Sequence, residues 1–232
     1  MKRFYEQVTL AAAAGGWQVM LDGRAIKTAG GKPQIVPSRA LADALAAEWA
    51  GQGLEIDPAA FGLRDLTDYA LDVVTAERAT ITRNLLRFAE SDTLCYRAED
   101  GEALAERQLE VWEPLLTAAE ARWDVHFERI GGVIHRAQPE ATLRRMRAVL
   151  DAEASFTLAA LNTLASLAAS LVIAFTAIMP GANAETLWDA ANLEEDWQAE
   201  LWGKDAEAEA LRTRRFAEFA RAISFAELAR ES

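Results

Sequence analysis

ASFTLAALNTLASLAASLVIAFTAIM, residues 154–179, runs without a charged side chain, and the fold turns on whether it crosses a membrane or fills a protein core. By length it passes the crude test of about 18–20 apolar residues for a span. Three features argue against one. Thr157, Asn162, Thr163, Ser166, Ser170 and Thr176 interrupt it; Asp151, Glu153 and Glu185 flank it where Lys or Arg would fix a topology; and neither end carries a Trp/Tyr belt. A helix that is apolar all round needs cover on every side. The stretch therefore predicts a central helix over 153–178 within a helical body.

Around it the patterning changes once. FYEQVTL and GWQVMLDGRAIKT alternate like strands, and Asp22-Gly23 between apolar alternations predicts a hairpin. PQIVP reads as a short edge strand. Ser38 is placed to cap the helix that carries Leu41, Leu45 and Trp49 at helical spacing. Beyond the Gly51–Gly53 break, helices are expected at about 61–75, 77–90, 102–123, 139–150, 183–202 and 204–229, besides the central one. Two strand-like pieces, near 92–98 and 125–130, are free to rejoin the N-terminal sheet. The expected class is α+β: a small β-rich (α/β) N-terminal domain over 1–60, then a larger all-helical domain over 61–232.

Composition narrows the function. With 24 Lys+Arg against 36 Asp+Glu the formal charge is -12, which repels polyanions, and the densest basic group, Arg144, Arg145 and Arg147, sits in a helix-like run; nucleic acid is not an expected partner. The single cysteine, Cys95, excludes an intrachain disulfide and fits a reducing compartment. In DTLCYRA it reads as a small buried hydrophobe rather than a nucleophile. MKRFYEQVTL turns polar at once and so offers no secretory leader. A cytoplasmic protein is expected.

Motifs for catalysis are scarce. His126 and His135 fall in no HExxH and near no zinc-spaced cysteines, so no metal site is expected. AGGKPQ holds a Gly-Lys but lacks the first glycine of a phosphate loop, and Pro33 stands where Ser or Thr would hold magnesium; it reads as a turn. No GxGxxG and no GxSxG is present. No cofactor and no catalytic residue is assigned.

Carboxylates remain, and LEEDWQAELWG (193–203) sets three of them between two tryptophans. On one continuous ideal helix with Leu187 at zero, Glu194 falls at about 340° and Gln198 at about 20°, inside the apolar stripe. Asp196 falls at about 180° on the polar side, Glu195 near 80° on a margin, and Trp202 near 60°. A carboxylate on an apolar stripe must find internal partners, raise its pKa, or face another protein. Two readings of Glu194 stay open: bonded to an arginine or to backbone amides, it locks two helices in register, or it docks a partner. Of the seven tryptophans, Trp49 and Trp123 belong to core stripes, while Trp188 and Trp202 lie at a stripe edge where part of the ring can stay exposed. The competing function is a carboxylate-based enzyme, which requires a closed pocket with a second acid in reach.

Four stretches are familiar in combination: AAEW (46–49), SDTLCYRA (91–98), WEPLLTAAEARW (112–123) and LEEDWQAELWGKDAEAEALRTRR (193–215). Together they resemble the assembly-chaperone family for the catalytic head of F-type ATP synthases, known in mitochondria and α-proteobacteria, and the likeness runs along essentially the whole chain. The resemblance implies a non-enzymatic protein that binds the unassembled α subunit of the F1 head and prevents its aggregation until it pairs with the β subunit. It also implies a small α/β N-terminal part before a helical domain. The family pattern L-E-x-x-x-Q-x-x-x-W-G falls on Leu193, Glu194, Gln198, Trp202 and Gly203, and its glutamate is the residue tied to function. Trp197 departs from the tyrosine of some members. The expected partner-binding residues are Glu194, Gln198, Trp202 and Glu195, and the expected setting is a bacterial cytoplasm without a transit peptide.

Overall fold

The computed structural model describes residues 1–132, 136–203 and 205–230; His135 and Lys204 lie outside them. A three-stranded antiparallel sheet opens the chain and helices make up most of the rest. Two compact units divide it. One comprises Met1–Arg78, Ala154–Ala160 and the residues from Arg221 onward; the other comprises Ala79–Glu153 and Leu161–Ala220.

In the first unit, β1 (Val8–Ala13) pairs with β2 (Gly16–Leu21), which pairs with β3 (Arg24–Ala25). The register sets Leu10 against Val19 and Val8 against Leu21, and Val19 and Leu21 are buried, so alternation defines the core face. The Asp22-Gly23 turn forms with both residues at positive φ. Asp22 also accepts from the backbone N–H of Gln7 at 2.8 Å. PQIVP makes only isolated bridges, Val36 with Trp17 and Pro33 with Lys27. The close approach at Val36 needs Gly16, because a Cβ there would sit 2.0 Å from the Val36 carbonyl oxygen.

Ser38 caps α1 (Arg39–Ala50) as expected. Its hydroxyl accepts from Leu41 N–H at 3.0 Å and donates to the Leu228 carbonyl at 2.5 Å. Replacing Ser38 with Ala should cost about 1–2 kcal/mol in urea unfolding, one cap plus one buried acceptor left unpaired; an unchanged midpoint would contradict that double role. Trp49, on the same helix, packs on Phe61 at 4.5 Å. The neighbouring Glu48 accepts from Leu63 and Arg64 N–H at 2.7 and 2.9 Å, so α1 caps the start of α2 (Gly62–Asp68). A π-helical turn, Tyr69–Val74, continues α2. Its Asp72, with Asp68 just before it, takes the N–H groups of Gly30 and Ala29 at 2.8 and 3.0 Å. Internal carboxylates thus occupy the donors of the Gly-Lys loop that a phosphate would have used.

The second unit is helical: α3 (Arg78–Glu90), α4 (Ala103–Trp123), α5 (Glu140–Ala152), α7 (Leu171–Ala177), α8 (Ala184–Ala191), α9 (Leu193–Trp202) and α10 (Ala206–Arg230), the last extending beyond the unit, as does α6 (Ser155–Ala168). The strand-like pieces do not rejoin the N-terminal sheet. β4 (Tyr96–Arg97) and β5 (Ile130–Gly131) pair with each other in parallel. Cys95 beside them is buried, and burial pushes its thiol up, disfavouring the thiolate a nucleophile requires.

The uncharged stretch is not one helix. Ala169 adopts φ 49 and ends α6. Ser170 then caps α7, accepting from Ile173 N–H at 3.0 Å. Side-chain capping by serine outcompetes continuation of the helix. Leu171, Val172, Ile173, Ala174 and Ala177 are fully buried, as a core segment demands, and Trp123 from α4 packs on Phe175 at 5.1 Å. No helix among the described residues is long and apolar enough to cross a membrane.

Candidate functional site

The expectation of a single helix over 183–202 also fails at an internal side chain. Asn192 is buried and its amide donates to the Trp188 carbonyl at 2.7 Å, while its own backbone N–H turns to Trp188 and Asp189. That tightens the end of α8, and α9 restarts in a new phase. Angles measured from Leu187 therefore do not carry into α9. Glu194 is exposed rather than set in an apolar stripe, and Leu193 is the residue α9 buries.

Within α9 the phases separate cleanly. Glu194, Glu195, Gln198, Leu201 and Trp202 fall within about 120° of one another and all are exposed. Trp202 is 79% accessible and Leu201 59%, unusual for large apolar groups on one short face. The four residues expected to bind a partner thus share one surface, and Leu201, which was not among them, lies on it too. Trp188, by contrast, is buried, packed on Phe219 at 5.4 Å.

Three polar contacts hold α9 to its neighbours. Gln108 of α4, fully buried, accepts from Ala98 N–H at 2.8 Å through Oε1 and donates from Nε2 to Glu194 Oε1 at 2.7 Å. Because Ala98 N–H can only donate, the Gln108 amide has one orientation and must offer its NH2 to the carboxylate. The internal partner of Glu194 is thus a glutamine amide, not an arginine or a backbone amide. Arg107 donates to Glu200 at 2.7 Å, with its guanidinium over the Trp197 ring. Arg212 of α10 reaches Asp189 at 3.2 Å and pairs with Asp196. Asp196 is therefore a clamp between helices, not the solvated acid the helical phase suggested.

Enough protein surrounds the Glu194 carboxyl to raise its pKa by burial, with the Gln108 bond pulling the other way. The residue nonetheless keeps solvent contact. Gln108 had a readable signal. In AERQLEVWEPLL it stands on the stripe with Trp112, Leu116, Ala119 and Trp123, all buried, and a glutamine on such a stripe needs a partner. The recess on the outer face of α4, lined by Leu109, Glu113, Pro114, Thr117, Ala118 and Ala121, holds one carboxylate, and Arg97 and Arg129 occupy it. Neither place sets two free acids around an enclosed substrate.

A largely helical scaffold that clamps one short helix and turns its tryptophan and acids outward is a protein-binding module. Comparison with known proteins makes that class specific. A family model described as ATP12 chaperone protein matches residues 2–120. The chain is 27% identical over 196 residues to "Protein atp12, mitochondrial" of Schizosaccharomyces pombe, covering 79% of this chain and 67% of that protein. Atp12 from Paracoccus denitrificans superposes with a TM-score of 0.94 at 34% identity, covering 99% of this chain and 98% of the other. The Atu1473 protein of Agrobacterium tumefaciens gives 0.92 at 37% identity over 97% of this chain and 85% of its own. The chain belongs to the ATP12 chaperone family, non-enzymatic assembly factors of ATP synthase.

Proposed function

We propose that the protein binds the unassembled α subunit of the F1 head of ATP synthase through the outward face of α9, keeping it from aggregating until it pairs with the β subunit, and that it does so in a bacterial cytoplasm. One observation carries this reading. A buried glutamine fixes one oxygen of Glu194 while leaving the residue exposed beside Glu195, Gln198 and a solvent-facing Trp202. Pre-orienting a charge at the edge of an apolar patch spares ordering cost on association, and apolar patches of this kind mark interaction surfaces on monomers.

Co-expression with the α subunit tests it. Glu194→Lys should lower the yield of soluble α subunit roughly tenfold while the chaperone itself stays folded. Glu194→Gln separates the two roles of the residue, because its amide oxygen still accepts from Gln108 but carries no charge. A client loss with the Gln variant points to direct charge contact, and a loss confined to Lys points to helix locking. An unchanged yield with both removes Glu194 from the interface.

A further inference from the structure

Beyond the pairs that Glu200 makes with Arg107 and Asp196 with Arg212, the end of α9 and the start of α10 face solvent. Every described residue from Leu201 to Leu211 is exposed, with Leu201 at 59%, Trp202 at 79% and Leu211 at 49%. Helices in proteins draw most of their stability from burying a face, yet the first six residues of α10 bury none. What holds them is local: the Asp205 side chain receives N–H groups from Glu207 and Ala208, its carbonyl receives Glu209 N–H at 3.0 Å, and acids in the first turn suit the helix dipole. Across 193–211 the sequence sets seven acids against the single Lys204.

We infer that this segment is a projecting arm that enters a concave apolar recess rimmed by basic side chains on the α subunit, with Trp202 in the recess and Asp205, Glu207 and Glu209 at the rim. The assignment rests on the α-subunit reading above and adds the chemistry of the surface it meets. The arm presents Trp202 with 79% of its surface open, so the surface that covers it must be hollow enough to take an indole. It carries large apolar groups at its tip, so the hollow is apolar. Its acids repel a second copy of this chain, net charge -12, and favour a cationic rim.

The test uses the full-length chaperone and purified α subunit, with light scattering during dilution of the client from denaturant and affinity measured across a salt series. Trp202→Ala should weaken binding about tenfold or more, and Trp202→Phe should recover most of it. Glu207→Lys with Glu209→Lys should weaken binding about tenfold at low salt and flatten the salt dependence. Far-UV circular dichroism and thermal midpoint should not move in the Trp202 variants, whose side chain is exposed; in the double-Lys variant the same two measurements separate loss of the first turn of α10 from loss of contact. If the wild type protects the client and the Ala and double-Lys variants bind within about twofold of it, the arm is not the contact and the α-subunit reading survives. A wild type that fails to protect the client removes both. Self-association through Trp202, seen as a dimer in sedimentation that the Ala variant abolishes, overturns the arm's assignment in favour of a second copy.

Discussion

Asp92→Ala should destabilise the protein by about 3–5 kcal/mol at neutral pH, among the largest losses available to any single side chain outside the aromatic core. Asp92 is fully buried. One oxygen accepts from Leu94 N–H at 3.1 Å and closes the turn of SDTLC; the other accepts from Val172 N–H at 3.0 Å at the start of α7. Leu171 N–H and the Ser170 side chain contribute further bonds. A single carboxylate thus joins two segments distant in sequence and satisfies donors at the head of a buried helix that water cannot reach. Alanine leaves those donors unpaired.

The pH dependence has a definite sign. Burial pushes the Asp92 carboxyl up to about 6, against the pull of its N–H partners. The folded state therefore binds this proton more readily than the unfolded chain, whose carboxyl titrates near 3.9, and the stability due to Asp92 rises as pH falls through that interval. The gap between wild type and Asp92→Ala should widen by about 1 kcal/mol from pH 7 to pH 5. Urea unfolding at the two values measures it, and a gap that narrows would show the carboxylate to be held in its charged form by its N–H donors.

Arg129→Met tests an electrostatic knot of the opposite sign. Arg129 donates to Glu113 Oε1 at 2.5 Å, to the Phe127 carbonyl at 2.6 Å, and to both oxygens of Glu120. Its guanidinium is held above its ordinary range, burial being outweighed by the two carboxylates. The Arg129 bond pulls Glu113 below the usual carboxylate range; for Glu120, burial pushes up but Arg129 and Phe127 N–H prevail. Removing the cation takes the guanidinium from Glu120 and leaves Glu113 with Arg97 alone. The expected loss is about 2–3 kcal/mol, less than for a fully buried pair because water still reaches the site. Depressed carboxylates give stability that is present above about pH 4.3 and disappears as pH falls through their lowered folded values. Wild type and Arg129→Met should accordingly converge below about pH 4, where Asp92 variants remain apart. Equal separation at pH 3 and pH 7 would show that packing of the Arg129 stem, not its charge, carries the effect.

Local chemistry was legible wherever its cause lay within a few residues. Asp22-Gly23 turned and Ser38 capped because each needs only its neighbours. Trp49, Trp123 and Cys95 went inside because their stripes or alternations left no other face. Glu194, Glu195, Gln198 and Trp202 were named together through a family resemblance, while the helical phase put Glu194 and Gln198 inside an apolar stripe that the structure does not keep. Spacing inside α9 was right; the reference point across Asn192 was not. The same limit hid the break at Ala169 and Ser170, since the capping serine looked like any other polar interruption of an apolar run.

Trp188 and Trp202 show where the division falls. Both sat at the margin of one predicted stripe, with nothing in their own neighbourhoods to tell them apart. Phe216 and Phe219 of α10 reach the first ring while the second stays 79% exposed, because Arg212 draws α10 against α8 and α9 at Asp189 and Asp196. Sequence by itself determined the strand and helix content, the capped start at Ser38, the buried stripes and the family. Tertiary structure decided which acids are clamps and which tryptophan faces the solvent, because burial depends on what a distant helix brings alongside, and periodicity records only which side of its own helix a residue occupies.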